Sequence, residues 1–391
     1  MAIKGCILPW IHLHGNMRGE YKACCFSDSF SNKDSLGDNS QSIMDVWHGT
    51  PYIELRKSFL EGKIPEQCYN PCFKKDELGV CENPKNNANN FWKHKEHLQK
   101  TLTPPPPPYI DFRVGNTCNF RCRTCGPASS TAWIKEGKNL FSIQGKKEER
   151  WDNDLFWEGL ELIYPNLEVL YFAGGEPLVL EQHYKILEYL ISKGKTDINV
   201  QYNTNLSILK FKEYDLLDLW KKFKKVNLWT SCDGYKNVSE YVRKELVWEE
   251  FESNVEKVKP YVTTISSVVS ILTIYSMPKL LLWGKRKNIP VFGTTLVTPS
   301  YYSLQILPEN EKRNILIYYK SFIENNKKDL HISDIRHMSD WLKYMKGELP
   351  EKEKLSSLFK KNTGLLDRNR NENFTDVVPE LADWYNGLKI S

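Results

Sequence analysis

Three cysteines share one short stretch of the chain: Cys118, Cys122 and Cys125, spaced C-x3-C-x2-C between Val114 and Pro127. Three thiolates on one loop can hold three corners of a cubane iron–sulfur cluster and leave the fourth iron without a protein ligand. That iron is then open to a substrate or cofactor, whereas electron-transfer ferredoxins close the cluster with a fourth cysteine. Zinc is the alternative. Structural zinc takes four ligands, commonly in paired C-x2-C or Cys/His groups, and no histidine lies close behind this loop. A second set of cysteines lies near the amino terminus: Cys6, Cys24, Cys68 and Cys72, with Cys25 and Cys81 beside them. Taken singly, each reads as a small buried residue. Taken together, two before a helix and two after it could meet on one metal centre. His12 and His14 are further candidate ligands, although alternation along a strand explains them more simply.

These side chains need elements to place them. From Tyr109 to Pro299, short apolar runs alternate with helical stretches: Tyr109–Val114, Leu167–Ala173, Ile198–Tyr202, Val226–Thr230, Thr263–Val269 and Val291–Val297. Six strands alternating with helices predict a parallel sheet. The clearest helix is Glu181–Lys193, whose stripe of Tyr184, Leu187, Leu190 and Ile191 ends at Gly194. The span of about 190 residues is short of a ~250-residue eight-stranded barrel, so an open six-stranded barrel is expected. Polar motifs follow four successive strands: the cysteine loop, then Gly174-Gly175-Glu176-Pro177, Asn203-Thr204-Asn205, and Ser231-Cys232-Asp233-Gly234. Barrel enzymes build their sites from loops at these carboxyl ends, although Gly-Gly, Asn and Asp-Gly are also ordinary turn residues.

Ahead of the barrel, one amphipathic helix is expected over Ile43 to Glu61. Five consecutive prolines, Pro104 to Pro108, cannot be helix or central strand. They read as a stiff spacer of roughly 15 Å at ~3.1 Å per residue. The expected division is therefore 1–103, a proline linker at 104–108, a barrel over 109–300 and a helical extension over 301–391. In the extension, helices are expected over Leu307–Asn325 and Ile332–Lys346, followed by a basic, polar stretch.

Composition bounds the answer. The chain has 391 residues with 40% hydrophobic and 26% charged residues, ordinary for a soluble globular protein. A net charge of +5, with both signs intermixed, gives no case for nucleic-acid binding. No apolar run reaches the ~20 residues of a membrane span. The apolar start has no basic region or cleavage site, so no signal peptide is read there. Ten cysteines clustered in metal-like groups suit a reducing, cytoplasmic setting.

The cysteine loop and Gly174-Gly175-Glu176-Pro177 resemble the three-cysteine spacing and the GGEP motif of radical SAM enzymes. The spacing C-x12-G-x4-C from Cys6 through Gly19 to Cys24 resembles the opening of SPASM and twitch domains, which carry auxiliary iron–sulfur clusters. The segment from Trp47 to Asp76, with Arg56 ahead of Cys68 and Cys72, is similar to that group as well. In most relatives this domain follows the barrel; here it precedes it. Six cysteines fall short of the two-cluster SPASM set, so one twitch-like cluster is expected on Cys6, Cys24, Cys68 and Cys72, with Cys25 and Cys81 as alternates.

The resemblance implies an α/β fold: a partial six-stranded (β/α)6 radical SAM barrel, an amino-terminal auxiliary-cluster domain and a helical carboxyl-terminal tail. It implies S-adenosylmethionine on the open iron of a [4Fe–4S] cluster held by Cys118, Cys122 and Cys125, plus an auxiliary [4Fe–4S] cluster. An electron from a reductant such as flavodoxin or ferredoxin then releases a 5′-deoxyadenosyl radical that abstracts hydrogen from substrate. Gly174 and Gly175 would let the backbone approach the methionine, with Glu176 accepting from its ammonium group and Pro177 completing the motif. Asn205 and Ser231 stand where relatives contact the methionine or ribose. Asp233 matches an Asp-Gly that follows, and Arg243 matches a basic residue that could pair with the cofactor carboxylate. Thr124 replaces an aromatic residue that many relatives place near the adenine, so Phe120 or Ser267 to Val269 would serve instead. A nearby auxiliary cluster can accept an electron. The expected reaction is therefore an oxidative modification of a peptide or protein side chain by a radical SAM oxidoreductase. A sugar or nucleotide metabolite is the alternative substrate, and a non-catalytic iron–sulfur or zinc protein is the alternative class.

Overall fold

The six expected strands form where β-branched and aromatic residues run for four to eight positions between turn residues. The computed structural model describes residues 5–28, 35–74 and 84–389, so Cys81 lies outside the described residues. Contacts divide the chain into two units. The first takes Met1–Thr117, Lys147–Tyr202 and Lys210–Asn227; the second takes Cys118–Lys146, Asn203–Leu209 and Leu228–Ser391.

In the first unit, β1 (His12–Gly15), β2 (Glu20–Lys22) and β3 (Gly37–Asp38) form an antiparallel meander. On its other side β1 pairs in parallel with β4 (Tyr109–Phe112), which pairs with β5 (Val169–Phe172) and then with β6 (Asn199–Thr204). Register separates the two faces. Leu13, Ile110, Leu170 and Val200 make one row across four strands, and each is essentially fully buried. The next row is polar: His14, Asp111, Tyr171 and Gln201. The apolar row faces the covering helices, as alternation requires. Helix Glu181–Ser192 ends as the sequence predicts, with Gly194 at φ +69° donating to the Ile191 carbonyl (3.0 Å).

The helix expected over Ile43 to Glu61 is instead two, Ile43–Trp47 and Thr50–Leu60. Pro51 in the first turn of the second helix has no N–H to continue the ladder of the first, and Gly49 serves as the new cap. The proline run is strapped down within this unit. Trp47 donates its indole N–H to the Pro105 carbonyl (3.0 Å), His48 Nε2 lies 2.8 Å from the Pro104 carbonyl, and Pro108 accepts from Glu168 and Val169 (2.8 and 2.9 Å).

In the second unit, β7 (Lys225–Ser231), β8 (Val262–Val269) and β9 (Val291–Thr295) pair in parallel. Helices Glu309–Asn325 and Ile332–Met345 match expectation. The basic, polar stretch beyond them is a helix of 19 residues, Lys352–Arg370. It is held in place by burying Phe359 against Tyr302, Phe374, Trp384 and Tyr385. Among the described residues no helix is long and apolar enough to cross a membrane.

Candidate functional site

The cysteine loop is built by short local bonds within the second unit. The Cys118 N–H points at Thr131 Oγ1 (3.3 Å), the Phe120 carbonyl accepts from Ser130 (2.7 Å), and the Cys122 carbonyl accepts the Trp133 indole (2.9 Å). A turn closes from the Cys125 N–H to the Cys122 carbonyl (3.0 Å). Arg121–Cys122 pairs antiparallel with Arg243–Lys244. Burial pushes the Cys122 thiol up to about 12; Arg243 works against this, and charge on Cys125 or Cys118 adds to it. Cys125 is raised by burial as well. Ionising Cys122 and Cys125 thus needs a compensating cation, which metal ligation supplies. Among the described residues, no three His, Cys, Asp or Glu side chains gather as tightly as one metal ion requires. A cubane, which spreads its thiolates over separate corners, suits this donor set better than mononuclear zinc does.

Gly174-Gly175-Glu176-Pro177 belongs to the first unit and runs against the segment that leads into the cysteine loop. Gly175 donates to the Gly115 carbonyl (2.9 Å) and Glu176 to the Thr117 carbonyl (2.8 Å). Gly174 sits at φ +120°, and a Cβ at Gly175 would lie 2.2 Å from the Thr117 oxygen. Both positions therefore require glycine. Thr117 is the last residue of this unit before Cys118. Glu176 is buried, and its Oε1 accepts from the Leu178 N–H (3.1 Å), capping the short turn that Pro177 opens.

The remaining candidates lie in the second unit. Asn205 donates to Asn119 Oδ1 (3.0 Å), inside the cysteine loop, and accepts from the Ser207 N–H (2.9 Å). Ser231 ends β7 opposite Ser266. Asp233 is fully buried; one oxygen accepts from the Val268 N–H (2.7 Å) and the other pairs with Arg243 Nε (2.9 Å). Arg243 Nη1 lies 3.9 Å from Cys122 Sγ. Burial opposes the Arg243 charge, but Asp233 and the neighbouring thiols more than restore it. The arginine expected to meet a cofactor carboxylate is thus anchored by Asp233 and faces a cysteine sulfur. Phe120 is buried, and Ser267 turns to the Met277 sulfur (3.2 Å). Cys232 is fully buried against the Gly234 carbonyl and Ser239 Oγ (3.3 Å each), with its thiol pushed up to about 12 by burial.

In the first unit, Cys6, Cys24 and Cys72 come together. Burial lifts Cys6 and Cys24 to about 12; charge on Cys72 raises both further, and Cys6 raises Cys24. Cys68 precedes Cys72 by one turn of a continuous helical stretch. Cys25 faces another way: beyond burial, Asp111 and Arg113 are its strongest influences. The candidate ligand His14 instead pairs with Asp111 (3.0 Å), which also holds Arg113 Nε (3.0 Å). His12 packs on Tyr109 and is held neutral, down to about 4, by burial. Arg56 is fully buried, donating to the carbonyls of Pro9 (2.9 Å), Trp47 (2.8 Å) and Leu102 (2.9 Å). Sequence reasoning missed the polar partners of Arg121 and Arg123. The only signal was an arginine on each side of Cys122.

Comparison with known proteins matches residues 112–278 to the Radical SAM superfamily and residues 6–74 to an iron–sulfur cluster-binding domain, SPASM. The chain is 33% identical over 108 residues to a GTP 3',8-cyclase of Campylobacter lari, covering 28% of this chain and 30% of that protein. It is 30% identical over 102 residues to a GTP 3',8-cyclase of Campylobacter curvus, covering 26% and 28%. It is 27% identical over 110 residues to one of Sulfurimonas denitrificans, covering 28% and 31%. The chain spans less than a third of the length of these curated relatives.

Proposed function

Since the chain is a radical SAM protein with an auxiliary iron–sulfur cluster-binding domain, we propose that it cleaves S-adenosylmethionine reductively and abstracts hydrogen from a small, nucleotide-like substrate. The radical SAM domain implies a [4Fe–4S] cluster and S-adenosylmethionine, and the second domain implies an auxiliary iron–sulfur cluster. When bound, the reduced cluster supplies the electron that splits the sulfur–carbon bond to give the 5′-deoxyadenosyl radical. The observation that carries this reading is the loop of three thiols with a buried arginine, Arg243, facing one of them.

In this reading Cys118, Cys122 and Cys125 hold the cluster. Arg243, oriented by Asp233, offsets thiolate charge at Cys122. Gly174 and Gly175 let the GGEP backbone lie against residues 115–117, and Asn205 steadies Asn119. Cys6, Cys24, Cys68 and Cys72 hold the auxiliary cluster. A donor such as flavodoxin or ferredoxin provides the electron.

Two observations support the nucleotide choice over the peptide expected from sequence. The curated relatives are named for a reaction of GTP. The polar row of β1, β4, β5 and β6 also carries Arg113 above it, braced by Asp111, and a guanidinium suits a phosphate oxyanion. Oxidative peptide modification is the second reading, favoured by the auxiliary domain.

The test is anaerobic: reconstituted protein, dithionite and S-adenosylmethionine, with 5′-deoxyadenosine measured alone, with nucleotides and with peptides. Slow uncoupled release is expected without substrate, and deuterium from a nucleotide ribose should enter 5′-deoxyadenosine. Fully iron-loaded protein that releases none would sink the radical reading. Label arriving only from a peptide would overturn the nucleotide choice alone. Glu176 gives a sharper check. Glu176→Gln keeps an acceptor for the Leu178 N–H but loses the charge. It should retain iron and melting temperature while binding S-adenosylmethionine about tenfold more weakly. Glu176→Ala should in addition lose about 1 kcal/mol of capping. Unchanged affinity in Glu176→Gln would leave Glu176 as a cap only.

A further inference from the structure

Arg121 and Arg123 flank Cys122, and helix Lys352–Arg370 reaches both. Arg123 is buried, with its guanidinium 3.6 Å from the Tyr241 ring centre. It donates from Nε to the Tyr241 carbonyl (3.0 Å) and from Nη2 to Asp367 Oδ1 (2.6 Å) and Glu372 Oε2 (2.5 Å). Asp367 also accepts from the Tyr241 hydroxyl and from the Phe374 N–H (2.8 Å each). Nearly one turn further along the helix, Arg370 donates to Glu136 (3.0 and 2.5 Å) and to the Arg121 carbonyl (2.9 Å). It lies over the Trp133 ring (5.0 Å), and that indole holds the Cys122 carbonyl. The Arg123 N–H donates to the Val242 carbonyl (2.7 Å). The peptide groups on both sides of Cys122 are therefore held from outside the loop.

Docking a tail does not require this arrangement. Helix Lys352–Arg370 already buries Phe359 and Leu366. Adding Asp367 and Arg370 to its buried face costs desolvation that ion pairing only roughly offsets. What the pairs add is direction. A guanidinium shared between carboxylates and stacked on a ring has one orientation, and Arg123 is the residue next to Cys122.

We propose that Asp367 is a positioning residue for the three-thiol loop. Through Arg123 it sets the place of Cys122 Sγ, and this makes helix Lys352–Arg370 part of the cluster site. The inference rests on the reading of that loop as a [4Fe–4S] site.

The test compares four reconstituted full-length proteins: wild type, Asp367→Asn, Asp367→Glu and Phe359→Leu. Phe359→Leu loosens the same helix through its packing on Tyr302, Phe374, Trp384 and Tyr385 but removes no hydrogen-bonding group of the Arg123–Asp367 pair, and serves as the control for stability. Measured quantities are melting temperature, iron per chain, and the electron paramagnetic resonance spectrum of the reduced cluster with and without S-adenosylmethionine. Asp367→Asn should shift the spectrum, blunt the change on adding S-adenosylmethionine and weaken its binding about tenfold, as loss of an outer-shell partner does. Asp367→Glu should recover part of the wild-type spectrum. Phe359→Leu should melt lower with an unaltered spectrum. A wild-type spectrum in Asp367→Asn, or equal spectral change in Phe359→Leu, would overturn the proposal. A wild type with no cluster spectrum would instead remove the reading beneath it.

Discussion

Replacing Cys118, Cys122 and Cys125 together by alanine is expected to abolish 5′-deoxyadenosine release while leaving about four irons on the chain. The first half follows from the donor set: with no thiolate left on the loop, nothing in the loop can ligate iron or balance its charge. The second half follows from the division of the cysteines between units. Cys6, Cys24 and Cys72 influence one another and belong to the first unit, whereas the deleted thiols belong to the second. Iron per chain and visible absorbance measure one half, and product chromatography the other. Persistent cleavage in the triple variant would remove the loop from the reaction. Iron near zero in a folded triple variant would remove the auxiliary cluster.

Arg56→Met should destabilise the fold more than Asp367→Asn or Phe359→Leu does, by on the order of 3–5 kcal/mol. Arg56 is fully buried and still charged near neutral pH; burial lowers it to about 10 and Tyr52 partly offsets that. It joins three separate segments through the carbonyls of Pro9, Trp47 and Leu102, and it stacks on Trp47 and Tyr52 (4.3 and 5.0 Å). Methionine fills similar space but leaves three buried acceptors without that donor, each costing about 1–3 kcal/mol before relaxation. Melting temperature should fall by roughly 10 °C. Iron on the triple-alanine background should fall with it, because Pro9 lies three residues from Cys6. Unchanged melting would mean that water or the main chain takes over all three carbonyls.

The strands were legible because each is a local event. Val291 to Thr295 or Lys225 to Ser231 can be read from period and flanking turns alone. So could the thiol spacing, which is a property of one loop. The split at His48–Gly49 was in principle visible in Pro51, but the apolar stripe of Val46, Trp47, Ile53 and Leu55 continues across it and masked the break. The grip on Cys122 was not legible. Arg123 and Asp367 are 244 residues apart, and nothing local marks a carboxylate in a polar helix as the partner of a distant arginine. GGEP was read by resemblance as a cofactor contact. Its packing on residues 115–117 depends on β4 and β5 being neighbours, which only the assembled sheet decides.

The pairing of β1 with β4 has a consequence for dissecting this protein. Because β1 lies in register along Tyr109–Phe112, the segment before the prolines is also what covers the outer side of β4. A truncated chain beginning at Tyr109 would present a bare rim of main-chain N–H and C=O groups, flanked by the apolar Ile110 and Phe112. Such a rim is a template on which other chains add strands. The fragment beginning at Tyr109 should therefore aggregate for reasons unrelated to iron, and its failure to hold a cluster would say nothing about which thiols bind it.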